Sequence, residues 1–328
     1  MILMRAPLRI SFIGGGTDYF DWFFKNRGEV LSVSIDRYVY VLLGELSPIW
    51  NTKYKFSYSQ MEEVNHISQI KHPLIRSCVA KYSNPEARLS IQYASDLPGN
   101  SGLGSSSAFC ASLIQGLKLL CNSTPATKSQ LAKEAIFMER EVMNEAGGWQ
   151  DQIASVYGGF NSIVFEKSEF AVTPLDNSFI KSYLEECVLI HVGQLRKSQD
   201  LALEQVKQIT RKTEMYTQLL ELVTLAKKAI STGDNDLFSN VIDESWELKK
   251  CLSAQISNSE VDNVVDKIKS IGGVGVKLLG AGSGGFLLVR FPGGMNGLNL
   301  ADYGFKFTLT ANAVADGVSS IAEEEQRR

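Results

Sequence analysis

The spacing of hydrophobic and polar residues predicts a strand-rich first part of the chain, followed by helices. Period-two alternation and β-branched or aromatic runs predict strands over residues 8–13, 38–43, 53–58 and 88–93. Helical spacing of apolar residues then predicts helices over 105–120 and 128–144. Strands and helices are therefore partly segregated in this part of the sequence.

The rest of the chain is predicted to continue with strands, then helices, then strands again. Strands are predicted at 159–165 and 187–192, and residues 198–271 have the apolar spacing of several helices. Strands follow near 274–279, 286–291 and 305–309, and a short helix is predicted to end near residue 322. This organisation predicts an α+β fold of two lobes, residues 1–182 and 183–328, divided in the charged and turn-rich stretch 166–186.

Composition excludes several classes of protein. The chain has 328 residues, 44% hydrophobic and 21% charged, with a net charge of −3, which argues against disorder and against binding to nucleic acid. Its apolar runs are too short to cross a bilayer, so a membrane is not an expected partner. Five cysteines without close pairing predict reduced thiols in a cytoplasmic protein, and three histidines give no zinc motif and no serine–histidine–aspartate triad.

A loop rich in glycine and serine precedes the first long helix and is the strongest chemical signal. Its backbone N–H groups and the helix N-terminus can converge on a phosphate, whereas the alternative is an ordinary serine-capped helix. No Gly-Lys-Ser/Thr follows, so the segment is not a Walker A loop. The predicted phosphate-binding residues are Pro98, Gly99, Asn100, Ser101, Gly102, Leu103, Gly104, Ser105, Ser106 and Ser107.

Two further glycine clusters and two acidic residues are candidates for chemistry. Residues 280–285 form either a hairpin turn or a backbone that packs closely on a ligand or loop. In the cluster 14–19, Asp18 either binds a polyol hydroxyl or caps a turn. Asp151 is either an acid–base residue or a helix N-cap, and Glu139 is either part of a site or a solvated charge.

The order of these segments resembles the GHMP small-molecule kinases. The resemblance rests on residues 9–18, the loop 98–108, Asp151-Gln152 and the cluster 280–285, and it spans essentially the whole chain. It implies a first lobe like the second domain of ribosomal protein S5 and a ferredoxin-like second lobe. It also implies that a nucleotide and its acceptor meet in the cleft between these lobes.

The same resemblance implies a role for individual residues. The loop 98–107 would wrap the phosphates of ATP, and Ser106 and Glu139 would hold Mg²⁺, with Ser105 or Ser107 as alternatives to Ser106. Asp151 would orient or deprotonate the acceptor hydroxyl, and Arg9 would stabilise the transferring phosphoryl group. The implied substrate-binding residues are Thr17, Asp18, Gln152, Gly193, Arg196 and Lys197.

The glycine triplet at 14–16 before Thr17-Asp18 resembles the sugar branch of the family; galactokinases carry Gly-Glu-His-Thr-Asp there. The implied reaction is phosphorylation of the anomeric hydroxyl of D-glycero-D-manno-heptose 7-phosphate, giving the 1,7-bisphosphate. The alternatives are an L-fucose or galactose 1-kinase, a non-catalytic sensor of sugar and nucleotide, and a decarboxylase of phosphorylated mevalonate.

Two features of the sequence leave undecided which acceptor is used and which residues bind the adenine. Residues 192–196 read Val-Gly-Gln-Leu-Arg where the heptose-kinase pattern is Thr-Gly-x-Ser-Arg, and Arg196 and Lys197 are the cations expected to bind a phosphate already on the acceptor. Trp50 and Tyr54 either stack on the adenine or pack in the core. A homodimer also stays open.

Overall fold

The computed structural model describes residues 1–193, 198–295 and 297–321, with the backbone alone at residues 198 and 199. The strands are β1 (Ile2–Ile13), β2 (Gly28–Glu45), β3 (Tyr54–Ser57), β4 (Met61–Val64), β5 (Leu89–Ser95), β6 (Phe160–Glu166), β7 (Glu169–Pro174), β8 (Cys187–Val192), β9 (Val274–Leu278), β10 (Gly285–Arg290), β11 (Thr308–Leu309) and β12 (Ser319–Ser320). The helices are α1 (Phe20–Phe23), α2 (Pro73–Tyr82), α3 (Ser105–Leu120), α4 (Lys128–Phe137), α5 (Gln150–Tyr157), α6 (Asn177–Glu185), α7 (Ser198–Gln208), α8 (Thr213–Thr232), α9 (Asn235–Leu252) and α10 (Ser259–Ser270).

Over the described residues, the larger sheet has eight strands with β2 at its centre. The order is β12-β1-β2-β5-β3-β4, and β6 pairs with β2 and β7 with β6. Strand β2 spans 18 residues, so one half of it pairs with β6 while the other half pairs with β5. The pairs are antiparallel except for β3 with β5.

Helix α3 packs on this sheet and directs its N-terminus toward the second lobe. Most of its side chains are buried, as expected of a helix that is apolar on nearly every face. A Cβ on Gly116 would lie 2.4 Å from Cδ1 of Leu43, so glycine permits the close approach of the helix to β2. This packing fixes the direction in which the glycine- and serine-rich loop meets the helix.

The second sheet has the order β11-β8-β10-β9, and aromatic packing joins it to the first lobe. The ring centroid of Phe12 in β1 lies 6.2 Å from that of Tyr183 in α6 and 5.4 Å from that of Phe238 in α9. These rings are fully buried, and edge-on aromatic pairs stabilise beyond simple burial. These contacts therefore hold the two lobes together beside the cleft.

The C-terminal part differs from the prediction. Residues 319–320 form β12 on β1, and residues 310–320, where a short helix to about residue 322 is predicted, contain no helix. A Cβ on Gly317 would lie 2.0 Å from the carbonyl oxygen of Val156, so this segment runs tightly over the first lobe. Residues 313–320 thus contribute to the first sheet, whereas the division at 182/183 placed them in the second lobe. The two-lobe division stays a proposal, with these residues moved to the first lobe.

Candidate active site

A cleft between the two sheets gathers most of the candidate residues. Its first wall comes from β1, the loop after it and the N-termini of α3 and α5, and its roof comes from α9, β9 and residues 279–284. The polar side chains at its surface include Arg9, Ser11, Asp18, Tyr19, Asn100, Ser105, Ser106, Ser107, Glu139, Arg140, Gln150, Asp151, Gln205, Lys249 and Lys277.

The phosphate-binding candidate begins with two glycines in the left-handed region. Gly102 has φ +80° and Gly104, the N-cap of α3, has φ +81° with no side-chain cap. A Cβ on Gly102 would lie 2.4 Å from the carbonyl oxygen of Leu279, and one on Gly280 would lie 2.5 Å from Cα of Gly102. The cluster 280–285 therefore packs backbone to backbone on the loop. The uncapped N–H groups of α3 face the cleft, which is the arrangement that binds anions.

Only part of the loop reaches the cleft. Asn100, Gly102, Gly104 and the three serines line it, while Ser101 and Leu103 are fully buried behind it. Pro98 and Gly99 are exposed and do not line it. Six of the ten predicted residues therefore line the cleft and four do not, and phosphate binding by this loop stays a prediction.

Arg9 connects this loop to Asp151. Its Nε and Nη2 donate to the two carboxylate oxygens of Asp151 at 2.9 and 2.8 Å, and its Nη1 donates to the carbonyl oxygen of Gly102 at 2.7 Å. Arg9 is 3% exposed and Asp151 28%, so the carboxylate has an open side. A bidentate pair of this kind fixes the carboxylate in both position and direction.

Glu139 lies on a π-helical turn, Met138–Val142, that follows α4. The turn widens the helix where the buried carboxylate enters the cleft wall, as π-turns often do at functional sites. Its Oε2 accepts from Ser107 Oγ at 2.8 Å and from Gln152 Nε2, whereas its Oε1 is buried without a partner. Burial raises the pKa of Glu139, and nearby Arg140 opposes that shift.

These groups fit a magnesium ion held together with phosphates. Mg²⁺ is commonly bound by one or two carboxylates plus substrate phosphates and water. The unpartnered Oε1 of Glu139 offers the carboxylate oxygen, and Ser106 is the exposed serine at the cleft surface. Within residues 1–193, 198–295 and 297–321 there is no cluster of three histidine, cysteine or acidic side chains that would hold a metal alone. Ser107, by contrast, is already committed to Glu139.

Asp18 is held beside Asp151. Its carboxylate accepts from the N–H of Gly16 at 2.9 Å and from the N–H of Gln150 at 3.3 Å. Burial raises its pKa; the Gly16 hydrogen bond opposes this, and the charge of Asp151 adds to it. A Cβ on Gly148 would lie 1.7 Å from Oδ2, so glycine is required there.

The remaining predicted substrate contacts have other surroundings. The hydroxyl of Thr17 is buried and exchanges hydrogen bonds with the backbones of Gly14 and Glu29, so it braces the turn and does not reach the cleft. Gln152 is also fully buried and supports Glu139. Gly193 does not line the cleft, although it lies next to Gly284, which does. Arg196 and Lys197 lie outside the described residues.

The two aromatic candidates for the adenine pocket lie away from this cleft. Tyr54 is buried in the core, which leaves no face for a base. Trp50 is half exposed, and its ring lies 4.7 Å from the ammonium of Lys55. Neither residue lines the cleft, so the structure favours packing over adenine binding for both.

Comparison with protein families decides the class. The model of the GHMP kinase N-terminal domain matches residues 70–159, and that of the C-terminal domain matches residues 226–302. The chain belongs to the GHMP kinase family. It is thus a phosphotransferase with an alcohol group as acceptor, and the family is ATP-dependent. The predicted α+β fold of two lobes is confirmed.

Individual relatives cover almost the whole kinase. It is 28% identical to the D-glycero-α-D-manno-heptose 7-phosphate kinase of Campylobacter jejuni over 87% of this chain and 88% of the relative. It is 25% identical to the bifunctional fucokinase/GDP-fucose pyrophosphorylase of Arabidopsis thaliana, over 87% of this chain and 29% of that protein. The crystal structure of a D-glycero-D-manno-heptose 1-phosphate kinase from Bacteroides thetaiotaomicron shares its fold, with a TM-score of 0.75, 22% identity and 98% of each chain covered. Among the described residues of the present kinase, no helix is long and apolar enough to cross a bilayer.

Sequence reasoning missed several residues that line the cleft of this kinase. Arg140 holds the turn before α5 by donating to the carbonyl oxygens of Glu145 and Gly148 at 3.0 and 2.9 Å. Gln150 presents a buried Oε1 without a partner. Lys249 and Lys277 enter from the second lobe. Gln150 at the start of α5 could have been found in the sequence, because the glycine pair Gly147-Gly148 marks the end of the preceding helical segment. Lys249 and Lys277 have no such local signal.

Proposed function

We propose that this kinase transfers the γ-phosphoryl group of ATP to the anomeric hydroxyl of a sugar, with Mg²⁺ as cofactor. The preferred acceptor is D-glycero-D-manno-heptose 7-phosphate and the product is the 1,7-bisphosphate. The observation that carries the proposal is the Arg9–Asp151 pair, which lies between the uncapped N-terminus of α3 and the buried carboxylate of Asp18. The similarity to the Campylobacter heptose kinase supports the choice of acceptor.

In this proposal the nucleotide is bound by the first wall of the cleft. The N–H groups at the start of α3 and the hydroxyls of Ser105 and Ser106 bind the β- and γ-phosphates. Glu139 and Ser106 hold Mg²⁺, which neutralises charge on the phosphates when it is bound. Gln152 and Ser107 keep the carboxylate of Glu139 in place.

Asp151 acts on the acceptor. Because Arg9 binds both of its oxygens, the carboxylate is fixed and presents its exposed side to the acceptor hydroxyl. The hydroxyl oxygen attacks the γ-phosphorus in line, the bond from that phosphorus to the β,γ-bridging oxygen breaks, and ADP leaves. Asp151 accepts the proton of the hydroxyl, and Arg9 stabilises charge on the transferring group.

Asp18 and Gln150 position the sugar in this proposal. Asp18 is held rigidly by two backbone N–H groups, and the free Oε1 of Gln150 provides a second acceptor. Tyr19, whose hydroxyl donates to Gln205 at 3.3 Å, adds a ring surface to the same wall. Two acceptors next to a flat ring suit a polyol with several hydroxyl groups.

An L-fucose 1-kinase is the second candidate, and the similarity to the plant fucokinase favours it. The test is an ADP-release assay with heptose 7-phosphate, free heptose, L-fucose, galactose and mannose. We expect turnover of heptose 7-phosphate to exceed that of each free sugar. Faster turnover of fucose, or equal turnover of free and phosphorylated heptose, would contradict the sugar-phosphate assignment. Binding of nucleotide and sugar without ADP release would identify a sensor.

A further inference from the structure

Two lysines of the second lobe lie buried in the roof of the cleft. Lys249 in α9 is 7% exposed, and Lys277 in β9 is 2% exposed. The ammonium of Lys249 donates to the carbonyl oxygen of Gly280 at 2.6 Å, and that of Lys277 donates to the carbonyl oxygen of Phe12. Among the described residues, neither ammonium has a carboxylate within 4.0 Å. Each therefore has one protein acceptor for three N–H groups.

Burial of this kind is costly for the protein alone. An ammonium removed from water without a counter-ion destabilises the folded state, and an apolar side chain of similar size would pack there without that cost. Burial, together with the neighbouring Arg9, lowers the pKa of Lys249 to about 8. Burial and the neighbouring Lys249 lower that of Lys277. Both ammonium groups therefore lie in an environment that a bound anion would stabilise.

The site that the anion would occupy is defined by the charges around it. The charges of Arg9, Asp18 and Asp151 act on the ammonium of Lys249, and those of Arg9 and Asp18 act on the ammonium of Lys277. The roof lysines therefore face the point where the acceptor hydroxyl and the γ-phosphate would meet. Gly280, which fixes Lys249, also packs on Gly102, so the roof is held directly against the phosphate-binding loop.

We propose that Lys249 and Lys277 form a phosphate-binding site in the roof of the cleft. A phosphate matches it because two or three negatively charged oxygens can accept the free N–H groups of both lysines, which act as point charges. The inference rests on the proposed phosphoryl transfer. The phosphate is either the γ-phosphate of ATP or the phosphate that the acceptor already carries.

The experiment uses Lys249→Met and Lys277→Met, with Lys250→Met as the matched control. Lys250 is the next residue of α9, forms an ion pair with Glu247 at 2.8 Å and does not line the cleft. Dissociation constants for ADP, for the β,γ-imido analogue of ATP, for heptose 7-phosphate and for free heptose are measured by calorimetry. We expect each roof variant to weaken a phosphate ligand about tenfold or more, since a lost hydrogen bond between charged groups has that effect.

The ligand that is weakened identifies the source of the phosphate. Loss for the ATP analogue with ADP unchanged assigns the γ-phosphate, and loss for heptose 7-phosphate with free heptose unchanged assigns the acceptor phosphate. Unchanged affinity for all four ligands in both variants overturns the site. In that case the sugar panel with the wild-type kinase still tests the proposed function separately.

Thermal unfolding without ligand separates binding from a structural role. Removal of an uncompensated buried charge should leave the melting temperature equal to or above that of the wild type. A lower melting temperature together with equal losses for every ligand would instead make the lysines structural and overturn the proposal. Lys277→Gln, which retains a donor for Phe12 without the charge, gives the same discrimination if Lys277→Met does not fold.

Discussion

The two faces of the cleft satisfy their charged groups in different ways. On the first lobe, Arg9 and Asp151 pair through two hydrogen bonds, and Asp18 accepts two backbone N–H groups. On the second lobe, Lys249 and Lys277 each have a backbone carbonyl group and no carboxylate among the described residues. Arg9, Asp151 and Asp18 are thus satisfied without ligand, whereas the two lysines need an anion to be satisfied.

We infer two roles from this difference: one face positions the reacting groups, and the other compensates the negative charge of a phosphate. Paired groups stay in a fixed geometry and can direct a hydroxyl toward phosphorus, which is the role we propose for the Arg9–Asp151 pair of the first lobe. Unpaired buried cations gain most when a negative charge arrives, which is the role we infer for the second lobe. Substitutions of the paired groups on the first face should therefore lower the rate of chemistry, and substitutions of the lysines on the second should lower affinity for a phosphate.

The largest effect is expected from Asp151→Asn. The amide keeps the volume and one acceptor for Arg9 but cannot take the proton of the hydroxyl, so kcat should fall by about 10³-fold or more. Affinity for the ATP analogue, measured by calorimetry, should change by less than about threefold because the loop N–H groups proposed to bind the phosphates are unchanged. Nearly unchanged kcat would show that Asp151 is not the acceptor base.

Glu139→Gln should have the next largest effect and should leave the fold intact. The rate should fall by about 10²-fold, with a higher Mg²⁺ requirement, because the free Oε1 is replaced. Since burial raises the pKa of Glu139, the charged form is disfavoured in the folded protein, and a neutral amide should not lower the melting temperature. Rates titrated with Mg²⁺ and a thermal melt check both statements. A normal Mg²⁺ dependence would remove Glu139 from the metal site.

The contact between the two faces can be tested at a glycine. Gly102→Ala places a Cβ against the carbonyl oxygen of Leu279, whereas Gly233→Ala has a similar φ of +70° with no atom within 4 Å. Both variants bear the backbone strain of about 1 kcal/mol, and only the first adds a clash. Chemical denaturation should show a larger loss of stability for Gly102→Ala, together with weaker ATP-analogue binding. Equal losses would mean that the loop does not depend on this packing.

The smallest effect is a pH dependence from the second face. The charged neighbours of Lys249 are Arg9, Asp18, Asp151 and Lys277, and its pKa is lowered from 10.5 to about 8. Between these values the unfolded chain binds more protons than the folded one, so this group raises stability as the pH rises from 8 to 10.5. Affinity for a phosphate should move in the opposite direction and fall a few-fold above pH 8, because the ammonium is lost. Calorimetry from pH 7 to 9 should give a flatter profile for Lys249→Met; an identical profile would exclude the lysine.

Local sequence predicted the elements whose signals are local. The bounds of α3 and β8 agree with the prediction because glycines and a clear change of hydrophobic period mark their ends. The predicted helix 128–144 ends at Phe137 and continues as the π-turn that carries Glu139. Strand β2 is longer than predicted, because its two halves pair with different strands that only the tertiary fold brings together.

The residues of the site can likewise be divided into those with a local sequence signal and those that only the tertiary fold brings to the cleft. The glycine- and serine-rich loop stands out in the sequence because a long run of small residues before a helix is unusual. An acidic residue after a glycine pair is commonly a helix N-cap, so Asp151 was singled out by the resemblance to the GHMP kinases. Lys249 precedes Lys250 at the polar end of a helix, and Lys277 occupies one position of an alternating strand, so both resemble solvated residues. Their burial arises from the packing of the second lobe on the first, which no local pattern records.

The central claim is that the start of α3 binds the triphosphate of ATP beside Asp151. A crystal structure of the kinase with the β,γ-imido analogue and Mg²⁺ tests it most directly. The β- and γ-phosphates should contact the N–H groups of Gly104 to Ser107, with the γ-phosphorus facing Asp151 and Arg9. A triphosphate bound elsewhere, with this helix terminus unoccupied, would contradict the account.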